Sequence, residues 1–387
     1  MKIAFVDLKR QLFGDQIAGT PGIKSEIDRT LSELISQTSF MMGPYLEKFE
    51  KEFATFCEAG YCVGLNSGTD ALEFALRCNG ITSGKVITIP NSYFTTSSSI
   101  SLAGATPVFV DVDPKTFNID VSKIEEKIDA DTEAILVTHL YGRPCDMDSI
   151  IKIAEKHNLK VIEDCAHAPG ARYKGKRVPI AGTGCFSFFP GKNIGAWGDG
   201  GAFITSNQDV ARLARLWRND GWEQKYHHEI LGRKARLDPL QGAVLSVKLR
   251  YLDSWNAARR KNAIRYKELL SNIESIQLPL SADEEYESVF HLYTLHLQDT
   301  ETREALFKHL SDKDIAVGVH YPTPIHLQPA YKGLGFKQGD FPVAEKLART
   351  TLSLPMFPEL RDDEIVYVCN AVKDFFMQTQ ASKISHR

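Results

Sequence analysis

The sequence predicts an α/β fold, with a large domain built on a mostly parallel central sheet and a smaller C-terminal α+β domain. Two observations support this prediction. Strand signals recur between residues 62 and 205, and helical stretches separate most of them. Such alternation over roughly two hundred residues is typical of a parallel sheet covered by helices. The chain of 387 residues is also long enough to bury a large core and to form a second unit.

The predicted elements follow in chain order. Residues up to about 15 form an arm, and apolar residues at helical spacing then mark an amphipathic helix: Ile23, Ile27, Leu31, Leu34 and Ile35. Strands are predicted at Cys62–Leu65, Val86–Ile89, Pro107–Asp111, Ala134–His139, Lys160–Glu163, Cys185–Phe189 and Ala202–Thr205. Helices are predicted at Ser122–Ile128, at Asp146–His157, from Pro239 to about Leu270, and near Asp362–Gln378. We expect residues 1–245 to form the arm and large domain, and residues 246–387 to form the small domain.

The charge balance and the cysteines exclude several classes of protein. The formal net charge is −3, from 46 basic and 49 acidic residues, so there is no basic excess for binding a nucleic acid. No apolar run is long enough to cross a membrane, and Asp7 interrupts the apolar start, so we expect no signal peptide. The seven cysteines fit no disulfide framework or zinc site. We therefore expect a cytoplasmic protein with free buried thiols and no metal.

A lysine, Lys192, follows a predicted strand and a Pro-Gly turn in the stretch CFSFFPGKNIGAWGDGG, which runs from Cys185 to Gly201. Burial between apolar strand residues and small loop residues disfavours the charged form of this lysine. A neutral amine attacks carbonyl groups, so the position suits a lysine that forms a Schiff base. A solvated surface lysine is the open alternative for this segment taken alone.

An acidic residue, Asp164, ends the predicted strand KVIED and follows Glu163. Pyridoxal phosphate requires a lysine for its aldehyde and a carboxylate that keeps its pyridine nitrogen protonated. A buried acid at a strand end, facing the lysine, suits this second task. The alternative is that the two acids simply end the strand at the solvent edge.

A candidate phosphate site lies where the strand ending at Leu65 meets a predicted helix that begins near Asp70. The turn between them reads Asn-Ser-Gly-Thr, and small residues before a helix N-terminus leave free N–H groups that favour an anion. An ordinary helix cap is the alternative. In the next loop, Tyr93 or its neighbour Phe94 could stack on a cofactor ring, or either could be a core aromatic.

Several motifs, in this order, resemble the DegT/DnrJ/EryC1/StrS aminotransferase family: NSGTDAL, PNSYFTT, HLYGRPCDM, IEDCAHA, FSFFPGKN and GDGG. The likeness covers nearly the whole chain, from Phe5–Gln11 to Leu352–Leu360. Members of this family are fold-type I pyridoxal-phosphate enzymes that aminate keto sugars, mostly nucleotide-linked. The resemblance implies the same fold, cofactor and substrate class, with glutamate as the amino donor.

The resemblance also implies roles for individual residues. Lys192 would form the Schiff base, Asp164 would pair with the pyridine nitrogen, and Tyr93 would stack on the ring. His167 would lie near the phenolic oxygen of the cofactor. The remaining cofactor-binding positions are Gly68, Thr69 and Ser187 at the phosphate, and Asn193 beside the lysine.

Two positions depart from the family pattern. Residue 167 is His where Gln is common, and this difference marks a candidate substrate subgroup. Many members read GxNxRLD, with an Asn that reaches the phosphate in the neighbouring subunit, whereas this chain reads GRKARLD and places Lys234 there. A lysine still pairs with phosphate as a point charge. The resemblance therefore implies a homodimer in which each chain completes its partner's site.

The predicted function is transfer of an amino group from glutamate to a nucleotide-linked keto sugar, through a Schiff base to Lys192 and with ping-pong kinetics. A dehydratase or other pyridoxal-phosphate chemistry on this fold is one alternative, and a non-catalytic sensor is another. Lys192 argues against both, because the family's dehydrating members lack the lysine and a binding protein does not need it. The sugar, its nucleotide and the aminated carbon stay open, and His320 and His326 either line the sugar pocket or hold a turn.

Overall fold

The computed structural model describes residues 1–385, and a seven-stranded sheet forms the centre of the large domain. In chain order its strands are β1 Tyr61–Leu65, β2 Lys85–Thr88, β3 Thr106–Phe109, β4 Thr132–Thr138, β5 Lys160–Asp164, β6 Thr183–Ser187 and β7 Gly201–Thr205. They lie side by side in the order β1-β7-β6-β5-β4-β2-β3. Strand β7 is antiparallel to both neighbours, and every other neighbouring pair is parallel. The predicted mostly parallel sheet is confirmed.

The helices, in chain order, are α1 Leu8–Phe13, α2 Lys24–Ser36, α3 Pro44–Phe56, α4 Gly68–Cys78, α5 Thr95–Ala103, α6 Met147–Lys156, α7 Gln208–Arg218, α8 Pro239–Leu249, α9 Leu252–Leu270, α10 Thr300–Ser311, α11 Pro342–Thr350 and α12 Asp362–Ser385. Many of these helices begin with a polar capping residue. Asp7, Ser67, Asp146, Asn207 and Asp299 each accept a hydrogen bond from a first-turn N–H. These bonds satisfy donors that the helix itself leaves free.

The sheet is buried on both faces, as its long apolar strands require. On one face, residues of β1, β4 and β7 pack against α4, α5 and α7 in a single apolar cluster. On the other face, Phe186 and Phe188 pack against Phe49 and Phe53 of α3 with edge-to-face rings. Each fully buried aromatic contributes about 1.5–3 kcal/mol relative to exposure. This packing fixes the carboxyl ends of the strands, where the loops carry the polar residues.

The small domain contains a three-stranded antiparallel sheet of β8 Ile276–Gln277, β9 Tyr293–Leu297 and β10 Thr351–Leu354. Its apolar cluster takes residues from this sheet and from α9, α10 and α12. The remaining short strands pair as Gly14–Asp15 with Thr20–Pro21, and as Tyr286–Glu287 with Arg172–Tyr173 and Lys176–Arg177.

The two cores meet within α9. Trp255 packs with Val244 and Val247 of α8 and with α2, whereas Ala263 and Tyr266 belong to the core of the small domain. The packing thus supports a boundary between residues 255 and 263, further along than the expected residue 245, and we propose the division there.

The first residues, expected to be an arm, pack on the small domain. Ile3 pairs with Ile315 in a parallel bridge and is buried in the small domain's apolar cluster. Arg10 donates two hydrogen bonds to the carboxylate of Glu364, each 2.8 Å long. The start of the chain is therefore held by the C-terminal half.

The predictions for two helices were wrong, one in its type of structure and the other in its continuity. Residues 122–128 form two short 3₁₀ turns, Val121–Lys123 and Glu125–Lys127, and Ile128 is extended. Asp120 caps the first turn by accepting a hydrogen bond from the Ser122 N–H, a local bond that competes with a helix. The helix predicted from Pro239 to about Leu270 is split into α8 and α9. Arg250, in the break between them, donates a hydrogen bond to Glu26 of α2.

All seven cysteines are buried, as expected. None of the helices within residues 1–385 combines the length and the apolar character needed to span a membrane.

Candidate active site

The predicted catalytic residues lie at the carboxyl edge of β5 and β6, which are parallel neighbours. Asp164 ends β5 and pairs in register with Cys185 of β6. Ser187 ends β6, and the loop after it carries Lys192. Because parallel strands end at one edge of a sheet, the acid and the lysine loop are brought together there, where open α/β sheets bind ligands.

Asp164 is buried with 4% of its surface exposed, and both carboxylate oxygens are engaged. Oδ2 accepts a hydrogen bond from Thr96 Oγ1 at 2.8 Å, and Oδ1 accepts one from the Ala166 N–H at 3.1 Å. Burial raises the pKa of Asp164 above its ordinary value, while these hydrogen bonds and the charge of Lys192 oppose the rise. A cation placed beside this carboxylate would therefore be strongly stabilised.

Glu163 lies on the opposite face of β5, because successive strand residues point to opposite sides. Its carboxylate accepts hydrogen bonds from the Ile180 and Ala181 N–H groups at 2.9 and 2.5 Å. It also accepts one from His139 Nε2 at 2.9 Å. His139 Nδ1 accepts the Cys145 N–H at 3.0 Å, so the ring proton must be on Nε2. Glu163 is thus fully occupied by its own domain.

Glu163, His139 and Cys165 also place three potential metal ligands within 4.8 Å of one another, and all three are buried. The hydrogen bonds just described already use the facing histidine and carboxylate atoms. The cluster is accounted for by these bonds and gives no reason to change the expectation that no metal binds.

Lys192 follows a tight turn, in which its own N–H donates to the Phe189 carbonyl oxygen at 2.9 Å. The residue is only partly buried, yet its amine is desolvated. Burial lowers the pKa of the Lys192 ammonium to about 8, against the opposing effect of Asp164. About a tenth of the amine is therefore neutral at pH 7, far more than for an ordinary lysine, and the neutral amine is the form that attacks a carbonyl.

A second buried lysine, Lys248 of α8, holds the loop that carries Lys192 in place. Its Nζ donates to the Gly195 carbonyl oxygen at 2.6 Å. Burial lowers the pKa of Lys248 to about 8 as well. Sequence reasoning did not identify this residue, since nothing in the pattern of α8 separates it from a surface lysine.

Asn193 is 2% exposed and holds the same loop from the other side. Its amide donates to Asn256 Oδ1 at 3.0 Å and to the Val289 carbonyl oxygen at 3.1 Å. Its own Oδ1 lies 3.2 Å from His291 Nδ1. All of these partners are protein groups, so the geometry supports a role in positioning Lys192. Direct contact with a cofactor stays a prediction for Asn193.

The candidate phosphate site joins the N-terminus of α4 to the end of β6. A Cβ atom built on Gly68 would lie 2.8 Å from Ser187 Cβ, so only glycine allows the helix start to approach the serine this closely. The Ser67 side chain caps the helix through the Asp70 N–H at 3.1 Å. The cap leaves the first N–H groups, those of Gly68 and Thr69, directed beyond the helix end. The predicted residues Gly68, Thr69 and Ser187 thus converge on one small cradle.

Tyr93 has 57% of its surface exposed, which leaves its ring open for stacking. It contacts Tyr321 from the small domain, with ring centroids 5.8 Å apart. Phe94, the other candidate, packs against Tyr331 in the core of the large domain. The structure therefore favours Tyr93 for stacking.

His167 is 4% exposed and lies between two tyrosines. Its Nδ1 accepts the Tyr141 N–H at 3.3 Å, and its Nε2 is 3.4 Å from the Tyr321 hydroxyl. Tyr141 has a φ of 57°, a left-handed conformation that a tyrosine rarely adopts. Its backbone N–H binds His167, and its hydroxyl donates to the His320 carbonyl oxygen. The strained residue thus links the two domains at the site.

Lys234 lies in a segment that passes beside the candidate phosphate site, because the Asn66 N–H donates to the Ala235 carbonyl oxygen at 3.1 Å and Arg233 donates to Asp70. Lys234 itself is exposed, and its backbone pairs with Asn219 in an isolated bridge. Contact between the Lys234 side chain and a phosphate group stays a prediction.

The two histidines left open by sequence reasoning have structural partners. His320 Nδ1 bonds the Ser353 hydroxyl at 2.9 Å, and the ring stacks on Phe5 with centroids 5.6 Å apart. His326 is buried, 3.2 Å from Glu345 Oε1. Both residues hold the loop between α10 and α11 in place, which supports the second of the two alternatives.

The chain is similar over most of its length to known aminotransferases. The sequence profile of the DegT/DnrJ/EryC1/StrS aminotransferase family matches residues 21–373. A Streptomyces venezuelae protein named dTDP-3-amino-3,4,6-trideoxy-alpha-D-glucose transaminase is 40% identical over 97% of this chain and 96% of its own. A Geobacillus stearothermophilus protein named pleiotropic regulatory protein is 44% identical over 92% of this chain and 95% of its own.

Solved structures show the same fold. The S. venezuelae DesV structure, described as a complex with a ketimine intermediate, has a TM-score of 0.92 and 39% identity, covering 97% of this chain and 98% of that one. The NtdA structure from Bacillus subtilis, described with bound cofactor PMP, has a TM-score of 0.84 and 31% identity, covering 95% of this chain and 85% of that one.

Proposed function

The chain belongs to the DegT/DnrJ/EryC1/StrS aminotransferase family, and from that premise we propose that it transfers an amino group from glutamate to a nucleotide-linked keto sugar. It is a pyridoxal-phosphate-dependent aminotransferase. One observation carries the proposal beyond the family: a desolvated lysine amine and a buried carboxylate lie at the same edge of the sheet, at Lys192 and Asp164.

The residues present fit pyridoxal phosphate. The cradle that a Cβ on Gly68 would fill suits the phosphate, and the buried Asp164 carboxylate suits a protonated ring nitrogen. Tyr93 offers an open aromatic face, and Lys192 offers the amine. When bound, the cofactor supplies an aldehyde that captures amines and a ring that withdraws electrons.

The protein's own groups then have separate tasks. In each half-reaction Nζ of Lys192 would take a proton from one carbon and deliver it to another, starting from the donor's α-carbon in the first and ending on the sugar carbon in the second, a task that suits an amine with a pKa of about 8. The Asp164 carboxylate holds the proton on the ring nitrogen, and Thr96 orients the carboxylate. Lys248 and Asn193 keep the Lys192 loop in place.

The substrate class rests on the names of the relatives. Besides the S. venezuelae protein, relatives from Aneurinibacillus thermoaerophilus and Acidithiobacillus ferrooxidans carry names of dTDP- and UDP-sugar aminotransferases, at 42% and 40% identity. Glutamate as donor follows from the family resemblance. A cytoplasmic location is supported by the seven buried, unpaired cysteines.

We propose a homodimer, supported by apolar residues exposed on the segment between α7 and α8. Leu231 is 93% exposed and Tyr226 is 82% exposed, and the same segment carries Lys234. Such side chains are stabilised when a second copy covers them, and two-fold symmetry is the common arrangement. In that dimer Lys234 would reach the phosphate of the partner's site.

A regulatory role is the second candidate, because one similar protein is named a pleiotropic regulatory protein. A binding protein would need the cradle and the acid, but not an amine with a pKa lowered to about 8. Incubation of the loaded protein with glutamate distinguishes a regulator from an aminotransferase. A regulator would bind the cofactor and leave glutamate unchanged.

The direct test is a screen of keto sugar nucleotides with glutamate, read by product mass. We expect one nucleotide sugar to gain an amino group in place of its ketone oxygen. Loss of water without gain of nitrogen would indicate a dehydratase instead, and no change with any sugar would contradict the proposal.

A further inference from the structure

Tyr321, which sequence reasoning did not single out, lies at the site beside the cofactor-binding candidates. It comes from the loop of the small domain that follows β9 and α10, and its ring contacts Tyr93 at 5.8 Å between centroids. Burial raises the pKa of its phenol well above the ordinary value, so the hydroxyl keeps its proton. A protonated phenol at this position is a hydrogen-bond donor that the cofactor contacts described above do not use.

The direction of the hydrogen bond between His167 and Tyr321 can be assigned. The Tyr141 N–H donates to His167 Nδ1 at 3.3 Å, so that nitrogen carries a lone pair. Burial and the charge of Lys192 lower the pKa of His167 well below its ordinary value, so the ring is neutral. Its single proton is therefore on Nε2, 3.4 Å from the Tyr321 hydroxyl. The hydroxyl oxygen accepts a hydrogen bond from this N–H, and within residues 1–385 the phenolic hydrogen meets no protein acceptor.

The ring of His167 is held in this orientation by a second histidine. His291 packs against it with centroids 4.5 Å apart. The Asn193 amide is oriented by its two donated hydrogen bonds, so its Oδ1 faces His291 Nδ1 at 3.2 Å and accepts from it. Since Asn193 adjoins Lys192, the histidine pair connects Tyr321 to the lysine loop.

The backbone of Tyr321 is fixed from the other side. The Tyr141 hydroxyl donates to the carbonyl oxygen of the preceding residue, His320. The His320 ring in turn bonds Ser353 at 2.9 Å. Tyr321 is thus held at its hydroxyl and at its backbone, a degree of preorganisation suited to recognition of a substrate.

We propose that Tyr321 contacts the substrate and donates its phenolic hydrogen bond to an oxygen substituent of the sugar ring, with His167 as the residue that positions it. The inference rests on the proposed function and deepens it. In this proposal the phenol contacts the sugar and not a glutamate carboxylate, so the contact acts in the sugar half-reaction alone. It would help this enzyme to distinguish its keto sugar from the keto acid formed from the donor.

The test compares the two half-reactions of Tyr321→Phe with those of the unmodified holoenzyme. Conversion of the bound cofactor by glutamate is followed by its visible absorbance, and the return reaction is followed with the keto sugar nucleotide found in the screen. We expect the sugar half-reaction to slow about 10- to 100-fold, the cost of one lost hydrogen bond, and the glutamate half-reaction to stay within about twofold. An equal loss in both half-reactions, or no loss in either, would overturn the proposal.

A binding measurement provides a readout that does not depend on turnover. Tyr321→Phe should weaken affinity for the aminated sugar nucleotide about tenfold and leave affinity for the nucleoside diphosphate alone unchanged. Tyr331→Phe is the matched control, because its hydroxyl bonds Ser101 at 3.1 Å outside the site. Equal affinities of Tyr321→Phe and the unmodified enzyme for the aminated sugar nucleotide would contradict the contact.

The role of His167 is tested by a double-variant comparison. In a His167→Leu background the phenol is no longer oriented, so adding Tyr321→Phe should cost the sugar half-reaction nothing further. His167→Gln, which keeps an N–H donor, should restore most of the effect of Tyr321. Additive losses would show that His167 does not act through Tyr321. If the unmodified enzyme aminates no sugar, the proposed function fails, whereas an active enzyme indifferent to Tyr321→Phe refutes this inference alone.

Discussion

The two adjacent acids at the end of β5 have opposite surroundings. Glu163 is closed, because three protein donors converge on its carboxylate. Asp164 is also buried, but we call it open because two protein hydrogen bonds reach its carboxylate, rather than three, and the charge of Lys192 acts on it. The two acids are adjacent in the strand and point to opposite faces of the sheet. One of them stabilises the fold, and the other is placed to hold a cofactor. An acid at the end of a strand can therefore have either role. The hydrogen-bond donors that surround its carboxylate decide which role it has.

The largest effect is expected for the lysine on the open side. Lys192→Ala should abolish covalent capture of the cofactor and reduce turnover by about 10²–10⁴-fold or more, because the variant loses the group that moves the proton. The measurement is the visible absorbance of the loaded protein together with the transamination rate. The thermal transition should stay near that of the parent, since the amine is not part of core packing. Full activity would end the aminotransferase assignment.

The next effect separates the two acids. Asp164→Asn should still capture the cofactor but slow transamination by about a hundredfold or more, because a neutral amide cannot hold the ring nitrogen protonated. Single-turnover rates with glutamate give the measurement. A rate within a few-fold of the parent would move the ring-facing acid elsewhere.

The closed acid should show the reverse pattern. Glu163→Gln replaces one acceptor oxygen by an NH₂ group that faces donors, so unfolding free energy should fall by about 1–3 kcal/mol. The rate per folded enzyme should change little. Denaturant unfolding of both variants, Glu163→Gln and Asp164→Asn, is the matched comparison. A large loss of rate with unchanged stability for Glu163→Gln would reverse the roles.

The phosphate cradle gives a smaller effect on the open side. Gly68→Ala would place a Cβ 2.8 Å from Ser187 Cβ, so the helix start must shift away from the serine. We expect weaker cofactor retention by about tenfold, measured by equilibrium dialysis of the holoenzyme. Gly80→Ala is a suitable control for the effect of a Gly-to-Ala change away from the cradle, since a Cβ there meets no atom within 4 Å. Its φ of 84° adds some strain. Unchanged retention in Gly68→Ala would remove the cradle from the phosphate site.

The smallest effect concerns pH. The neutral amine of Lys192 is the reactive form, and its pKa of about 8 lies below that of an ordinary lysine. The rate at which the apoprotein captures cofactor should therefore rise about tenfold from pH 7 to pH 9 and then level off. A lysine with an ordinary pKa would give about a hundredfold rise over the same range, with no levelling. Stopped-flow absorbance distinguishes the two.

The sequence was sufficient for the sheet, because strands buried on both faces have a clear apolar pattern. It was also sufficient to place Asp164 and the Lys192 loop at one edge of that sheet, because the sheet itself positions the residues at its strand ends, while the roles of these residues stay predictions. It was insufficient where a local side-chain hydrogen bond competes with a helix and where long-range contacts decide the structure. Residues 122–128 form turns because Asp120 bonds locally, and α8 and α9 separate beside Glu26. Lys248, His291 and Tyr321 reach the site from distant elements, so no local pattern marks them. Thr96, one turn from Tyr93, could have been noticed as a candidate partner for the acid.

The most direct test of the account is the donor half-reaction in the absence of any sugar. Glutamate is added to the loaded enzyme, and the 2-oxoglutarate released is counted against the active sites while the cofactor absorbance is followed. The open site at Lys192 and Asp164 predicts one equivalent of 2-oxoglutarate per site, a single change of the absorbance, and its reversal when a keto sugar nucleotide is added. No release and no change of absorbance with glutamate would contradict the central claim.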